Sequence, residues 1–199
     1  GVRFVEVWPH QPRRLTMTDH ETPQRRIVCD DLESRAKDFA TWAHASINHV
    51  RKYTGEPYIN HPAAVVEMVR SVPHTTEMLA AAWLHDTVED TDVTLESIES
   101  EFGAEVAGLV EMLTDVSTAH DGLRHHRKAK DREHTEKASP SAKTIKLADL
   151  IDNTRSIVTR DPKFAAVYLE EKRALLDVLK QGDPHLWEVA HALAWSESK

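Results

Sequence analysis

The 199-residue chain contains little cysteine, little glycine and no long apolar run. Its single cysteine, Cys29, cannot form a disulfide within the chain, which excludes a fold held together by disulfides. No segment approaches the roughly 20 apolar residues that a bilayer-spanning helix needs. We therefore expect a protein of the reducing cytoplasm with no membrane partner.

Positive charge is also scarce. The sequence has 25 Lys and Arg against 33 Asp and Glu, a formal net charge of -8. Binding to a nucleic-acid backbone needs clustered basic side chains, so no nucleic-acid partner is expected. A small phosphorylated ligand needs only a local basic patch and stays compatible with this balance. With 40% hydrophobic and 29% charged residues, the composition is typical of one globular domain.

The apolar residues recur at steps of three and four, and strand-like alternation is nearly absent. A first amphipathic helix beginning near Asp31 is predicted from Leu32, Ala36, Phe39, Ala40, Ala43, Ile47 and Val50. Further helices are predicted over about 62–71, 75–90, 94–103, 104–113, 145–153, 162–180 and 184–195. The sequence thus predicts a single all-α helical bundle over residues 29–199, preceded by a flexible N-terminal extension over residues 1–28.

Residues able to bind metal or transfer protons are concentrated where an apolar stretch ends. His85, Asp86, Glu89 and Asp90 lie within six residues, and helical periodicity would place His85 over Glu89 and Asp86 over Asp90. A metal and a water-activating carboxylate could share one pocket there.

Two further islands of the sequence carry similar chemistry. His61 follows a segment, residues 51–62, whose glycine and prolines should form an ordered loop, and Asp149 precedes Asn153 by four residues on a predicted helix. Together the three islands supply two imidazoles and two carboxylates. This mixed nitrogen and oxygen set suits Mn²⁺, Fe²⁺ or Zn²⁺. The motifs are His61, then His85 with Asp86, then Asp149.

This pattern resembles H…HD…D, the pattern of the HD superfamily of metal-dependent phosphohydrolases. Residues 51–62 (RKYTGEPYINHP), 84–91 (LHDTVEDT) and 146–153 (KLADLIDN) are similar to the hydrolase motifs of the Rel/Spo stress-alarmone enzymes, and residues 101–107 are similar as well. The resemblance extends over about residues 31–160. Since the sequence has no room for the synthetase domain of the bifunctional members, it resembles the stand-alone small alarmone hydrolases.

The resemblance implies a site and a reaction. It implies that His61, His85, Asp86 and Asp149 bind the metal, usually Mn²⁺, with Zn²⁺ or Fe²⁺ as alternatives, and that Glu89 and Asp90 are the catalytic acidic pair. It implies that Arg51, Lys52, Tyr58 and Asn153 contact the nucleotide, although Tyr58 could equally pack under the loop. The reaction implied is removal of the 3′-pyrophosphate from the alarmones (p)ppGpp or (p)ppApp, giving the 5′-nucleotide and pyrophosphate.

Several alternatives stay open at this level. One is an HD phosphatase acting on another nucleotide, such as a nucleoside monophosphate or the 2′-phosphate of NADPH. Another is a partner that binds alarmone without hydrolysing it, although the intact Glu89 and Asp90 pair argues against that. The charged stretch 118–138 favours a solvated helix face or a mobile linker over a phosphate-contacting patch. The choice between guanine and adenine and the formation of a homo-oligomer are also open.

Overall fold

In the computed structural model, which describes residues 32–195, the chain forms α-helices joined by short loops. The predicted extension over residues 1–28 lies outside the described residues. The helices are α1 (Leu32–Ser46), α2 (Asn60–Arg70), α3 (Thr76–Leu84), α4 (Thr87–Asp90), α5 (Leu95–Phe102), α6 (Ala104–Leu113), α7 (Arg124–Glu136), α8 (Pro140–Arg160), α9 (Pro162–Val178) and α10 (Pro184–Trp195). Within 32–195 the only extended pairing is an isolated bridge between Val50 and Pro57, so the all-α prediction is confirmed.

Helix α3 lies in the middle of the bundle. Its residues from Met78 to Leu84 are all buried, and it packs against α1, α2, α6 and α8. A helix that is apolar on every side is stable only when neighbours cover it all round. The long helix α8 packs against α2, α6, α9 and α10. One continuous apolar core therefore fixes α2, α3 and α8 relative to one another.

Helix α1 ends earlier than the periodicity predicts. Asn48 has a positive φ of 53°, and the amide of His49 donates to the carbonyl of His44 at 2.9 Å, as in a Schellman turn. Ile47 and Val50 are 44% and 51% exposed, so the prediction that they continue the buried face was wrong. Asparagine can adopt the left-handed conformation, which allows the chain to leave the helix here.

The helix predicted over residues 75–90 is interrupted at the start of the reactive cluster. Thr75 caps α3 by accepting from the Met78 amide at 3.2 Å, but α3 ends at Leu84. Asp86 has φ −99° and ψ −3°, at the edge of helical conformation, and the short α4 follows. His85 and Asp86 therefore lie at the junction between α3 and α4, whereas the sequence predicts that they lie within a single helix. Glu89 and Asp90 lie on α4.

The C-terminal helices follow the prediction with one adjustment. Helix α9 ends at Val178 instead of Lys180. Gly182 lies so close to α8 that a Cβ atom there would be 2.8 Å from Leu147 Cδ1 and 3.0 Å from the carbonyl carbon of Lys143. The glycine is therefore needed for close packing of this loop against α8.

Much of the charged stretch 118–138 is the helix α7 instead of a linker. None of the described helices has the length and apolar character required to cross a membrane.

Candidate metal centre and catalytic site

The fold brings the four predicted metal ligands into one buried cluster. His61 lies in the first turn of α2, His85 and Asp86 between α3 and α4, and Asp149 in the middle of α8. Ligand atoms of His61, His85 and Asp86 are all within 4.8 Å of one another. His61 Nε2 is 3.1 Å from Asp149 Oδ1 and 3.5 Å from Asp86 Oδ2, and His85 Nε2 is 3.1 Å from Asp86 Oδ2 and 3.8 Å from Asp149 Oδ1.

His85 is held in the orientation that a metal ligand needs. Its Nδ1 donates to the carbonyl oxygen of Ala82 at 2.8 Å, which leaves the lone pair on Nε2 facing the carboxylates. This Nε2 is buried, and among residues 32–195 it has no hydrogen-bond partner of good geometry. A buried, unpartnered imidazole nitrogen beside two carboxylates fits a divalent cation, because the cation would satisfy all three groups.

The electrostatics of the cluster also favour a cation. Burial disfavours the charged form of His85, yet Asp86 and Asp149 outweigh burial and raise its pKa well above the ordinary value. Burial likewise opposes ionisation of Asp149, but Lys146 and the two histidines hold the pKa of Asp149 well below its ordinary value. The carboxylates therefore stay ionised, and their negative charge favours binding of a cation in the site. A metal would replace the protons on the histidines, as ligand binding requires.

Asp152 orients His61 and was missed by the sequence analysis. Its Oδ2 is 2.6 Å from His61 Nδ1, so His61 presents Nε2 to the other ligands. Arg51 Nη2 donates to the same oxygen at 3.0 Å. A carboxylate behind a ligating histidine fixes its tautomer and ring orientation. The only sequence signal for this role was position, because Asp152 is three residues after Asp149 on α8 and so faces the same side.

Two side chains one helical turn to either side position Asp149. Asn153 Nδ2 donates to Asp149 Oδ1 at 2.6 Å, as the predicted spacing of four allows. Lys146 Nζ lies 3.3 Å from Asp149 Oδ2, a contact that the sequence analysis also missed. Asp149 is thus fixed within its own helix as well as by the histidines.

The four predicted nucleotide contacts line one small cavity beside the cluster. Arg51, Lys52, Tyr58 and Asn153 all border a space of about 120 Å³. The hydroxyl of Tyr58 donates to Asp86 Oδ2 at 2.6 Å, and its ring stacks on His49 at 3.8 Å between centroids. Burial and the Asp86 charge raise the pKa of Tyr58, so the hydroxyl remains a donor. Tyr58 therefore both supports a ligand and borders the cavity.

Glu89 and Asp90 lie at the more open side of the cluster. Partial burial, together with the negative charge of Asp115, raises the pKa of Glu89 to about 7. Burial and the Asp86 charge also raise the pKa of Asp90, whose Oδ2 is 4.0 Å from His49 Nδ1. A carboxylate with a pKa near neutrality can accept a proton from water and release it again. His49, which the sequence analysis did not single out, is a neighbour of this pair.

Known proteins and a known protein family resemble this chain in sequence. The HD domain family model matches residues 36–174. The guanosine-3′,5′-bis(diphosphate) 3′-pyrophosphohydrolase MESH1 of Mus musculus is 42% identical over 124 residues, which are 61% of this chain and 67% of MESH1. A probable enzyme of the same activity in Synechocystis sp. is 36% identical over 148 residues, 73% of this chain and 18% of that protein. The chain thus spans about two thirds of the length of mouse MESH1.

Solved structures show the same fold. A metazoan ortholog of SpoT, described as hydrolysing ppGpp and acting in starvation responses, superposes with a TM-score of 0.72 at 28% identity. The match covers 87% of this chain and 96% of that one. The protein lmo0812 of Listeria monocytogenes matches with a TM-score of 0.58 at 27% identity, over 71% of this chain and 98% of its own.

Proposed function

The chain belongs to the HD domain family, and on that basis we propose that it is a metal-dependent hydrolase that removes the 3′-pyrophosphate from the guanosine alarmones (p)ppGpp. The observation that carries the proposal is the buried cluster of His61, His85, Asp86 and Asp149, in which His85 Nε2 faces two carboxylates and, among residues 32–195, makes no hydrogen bond of good geometry. The similarity to MESH1, whose name states this activity, supports the choice of substrate.

The metal proposed is Mn²⁺, with Zn²⁺ or Fe²⁺ as alternatives that the same donors can bind. Two imidazole nitrogens and two carboxylates form a borderline ligand set that leaves coordination positions for water and substrate. A divalent cation held there would polarise a phosphoryl oxygen and lower the pKa of a bound water. The residues of the chain supply the remaining steps.

In the proposed reaction, water attacks the phosphorus that is attached to the ribose 3′ oxygen. Glu89, with a pKa of about 7, accepts a proton from this water, and Asp90 lies beside it on α4. The oxygen of water bonds to phosphorus, the bond from phosphorus to O3′ breaks, and O3′ takes up a proton. The products are the 5′-nucleotide and pyrophosphate.

The cavity bordered by the predicted nucleotide contacts would hold the nucleoside. Arg51 has a planar guanidinium suited to stacking on a base, and Lys52 provides a point charge for phosphate. Asn153 holds Asp149 and borders the same cavity, so it could contact the ribose while keeping the metal ligand in place. Adenosine alarmones, (p)ppApp, have the same phosphate and ribose groups and would differ only at the base.

The first experiment is a substrate panel with purified, metal-stripped protein. We expect ppGpp and pppGpp to release pyrophosphate once Mn²⁺ is added, with Zn²⁺ and Fe²⁺ tested in parallel and products resolved by chromatography. The panel includes (p)ppApp, nucleoside monophosphates and NADPH. Release of inorganic phosphate alone would favour the alternative HD phosphatase, and metal-dependent binding of alarmone without turnover would favour a binding partner.

Variants test the assignment of roles. His85→Ala and Asp149→Ala should abolish turnover and metal binding. Glu89→Gln and Asp90→Asn should keep the metal and lower turnover by roughly 10²-fold or more, the scale of a lost general base. Glu105→Gln, an exposed glutamate on α6, is the matched control and should keep full activity. Full turnover in His85→Ala would refute the metal assignment.

A further inference from the structure

The loop that carries three of the proposed nucleotide contacts is closed on itself by its backbone. The amide of Arg51 donates to the carbonyl of Glu56 at 2.8 Å, and the amide of Gly55 donates to the carbonyl of Arg51 at 2.9 Å. Gly55 has a φ of 70°, which glycine adopts without strain. Both bonds lie within the loop, residues 51–58, so they fix its shape but not its position on the helical bundle. Other contacts must set that position.

Side chains connect the loop to α8 and to the end of that helix. Near the start of the loop, Arg51 Nη2 donates to Asp152 Oδ2 at 3.0 Å. At the tip, the hydroxyl of Tyr53 donates to Asp161 Oδ2 at 3.0 Å. Arg160 Nη1 also donates to the carbonyl oxygen of Tyr53, at 3.5 Å. The tip of the loop is thus held against the end of α8 through Tyr53.

Asp161 has a fixed position because it joins two helices. Its amide donates to the Ile157 carbonyl at 2.8 Å at the end of α8, and its Oδ1 accepts from the Phe164 amide at 3.2 Å as the N-cap of α9. Pro162 follows at the start of α9, where the fixed φ of proline favours a helix. One carboxylate oxygen therefore caps α9, and this cap directs the other oxygen, Oδ2, to Tyr53.

The ring of Tyr53 borders the cavity of about 120 Å³ that the proposed function assigns to the nucleoside. Tyr58 and Ile157 border the same space, so its walls include two aromatic rings and an aliphatic side chain. Pockets that hold whole ligands span roughly 300–1,000 Å³, so this cavity accommodates only part of a nucleotide. Nucleobases stack on aromatic rings, so these walls suit a base better than a phosphate. The position of Tyr53 therefore affects the shape of the nucleoside cavity.

The same ring limits where Lys52 lies. Lys52 Nζ is 5.0 Å from the centre of the Tyr53 ring, which is within the range of a cation–π interaction. Lys52 is otherwise exposed, and an exposed lysine side chain has much rotamer freedom to lose when it binds a ligand. A displaced Tyr53 ring would therefore leave this proposed phosphate contact less ordered before the nucleotide binds.

We propose that Asp161 is a positioning residue for nucleotide binding, which acts through the hydroxyl of Tyr53 to hold the tip of the 51–58 loop at the nucleoside cavity. The proposal rests on the proposed function and extends it to two residues that it did not use. Because the loop is held before the ligand arrives, less conformational freedom is lost on binding. The contact raises the affinity for the nucleotide and leaves the chemical step unchanged.

The first test measures binding without turnover. Metal-free protein in EDTA is titrated with GDP by calorimetry, and the parent is compared with Tyr53→Phe, Asp161→Ser and the double variant. Tyr53→Phe keeps the ring, and Asp161→Ser keeps a helix-capping hydroxyl, so each variant removes mainly the contact between the two side chains. We expect Kd for GDP to rise by about three- to tenfold in each single variant, the scale of one lost hydrogen bond. The double variant should bind no more weakly than either single variant, because both remove the same contact.

Asp183→Ser is the matched control. Asp183 also precedes a proline, and its Oδ1 accepts from the Leu186 amide at 3.0 Å at the start of α10, so the same substitution is made at another helix cap. This variant should bind GDP as the parent does, and thermal unfolding verifies that every variant folds. Three results would overturn the proposal: no GDP binding by the parent, an equal effect in Asp183→Ser, or effects of the two single variants that multiply in the double variant.

Steady-state kinetics separates positioning from a general disturbance of the site. With ppGpp as substrate, Tyr53→Phe and Asp161→Ser should raise KM by the same factor and leave kcat and the affinity for Mn²⁺ unchanged, as for a contact that supports ground state and transition state equally. A lower kcat or weaker metal binding would overturn the positioning role. GDP binding that depends on both residues, in a protein that hydrolyses no nucleotide, would count against the proposed function while supporting Asp161. Alarmone hydrolysis with the parent KM in both variants would do the reverse.

Discussion

Among single residues, Asp152 links two parts of the site. Its Oδ2 atom contacts both His61 Nδ1 at 2.6 Å and Arg51 Nη2 at 3.0 Å. This one atom therefore orients a proposed metal ligand, His61, and a proposed nucleotide contact, Arg51. A change at this position should therefore affect metal binding and substrate binding together.

We expect Asp152→Asn to weaken metal binding by about 10- to 100-fold, the usual effect of removing a carboxylate behind a histidine ligand. KM should rise as well, because Arg51 loses its charged partner. Metal affinity is measured by competition with a fluorescent chelator, and KM with the best nucleotide of the panel. The exposed Asp177→Asn on α9 is the control. Unchanged metal affinity in Asp152→Asn would show that His61 is oriented without this carboxylate.

Glu89 should set an acid limit to activity. Its pKa is raised to about 7, and a general base must be ionised, so kcat/KM should fall as the pH decreases through this region. The charge of Asp115 is one cause of the raised pKa. In Asp115→Asn the pKa of Glu89 should decrease and the acid limb should move to lower pH. The pH profile of kcat/KM for both proteins tests this, and an unmoved limb would assign it to another group.

The sequence motifs identified most of these residues, but not all of them. His61, His85, Asp86 and Asp149 could be chosen because each stands in a short recognisable pattern, and the structure brings them together. Asp152 and His49 could not, since their contacts depend on how α8 packs against α2 and on the turn after α1. Local periodicity contains no information about such distant pairs.

Among the helices, the interruption between α3 and α4 shows a limit of periodicity. Residues 75–90 contain no glycine or proline that would mark an end, so a single helix was the natural prediction. The chain turns at His85 and Asp86, where Thr87 Oγ1 donates to the Leu84 carbonyl at 2.7 Å. Neighbours on a regular helix point about 100° apart. The interruption lets two adjacent residues, His85 and Asp86, face the same point.

Close packing at Gly182 gives a prediction about stability. A Cβ atom would lie 2.8 Å from Leu147 Cδ1 and about as close to the backbone of α8, so Gly182→Ala should lower the free energy of unfolding by about 1–3 kcal/mol. Gly108 within α6 is the control, since among residues 32–195 no atom beyond its chain neighbours and its own helix backbone lies within 4 Å of a Cβ there. Gly108→Ala should stabilise the protein by up to about 1 kcal/mol. Urea unfolding measures both, and equal effects would contradict this account of Gly182.

For the molecule as a whole, the metal centre connects elements that are far apart in sequence. The proposed ligands come from α2, from the junction of α3 and α4, and from α8. Binding to the folded state alone stabilises it by about 2.7 kcal/mol when free metal is 100-fold above the dissociation constant. For a chain of this size, we expect metal removal to lower Tm by roughly 5–10 °C.

Thermal unfolding with EDTA and with excess Mn²⁺ measures this shift. His85→Ala should remove the metal dependence of Tm, whereas the exposed His185→Ala should retain it. A Tm that ignores metal in the parent protein would mean that the cluster binds no cation in the folded state. Re-addition of metal should restore the parent Tm.

The same connection has a consequence for the lifetime of the protein. A cation bound by α2, the α3–α4 junction and α8 would act as a reversible crosslink that closes two long loops of the chain. It would oppose the partial openings that expose the backbone to proteases. Metal availability would then control the amount of this protein as well as its turnover number. A cell depleted of divalent cations would degrade the chain faster, and it would recover activity only at the pace of new synthesis.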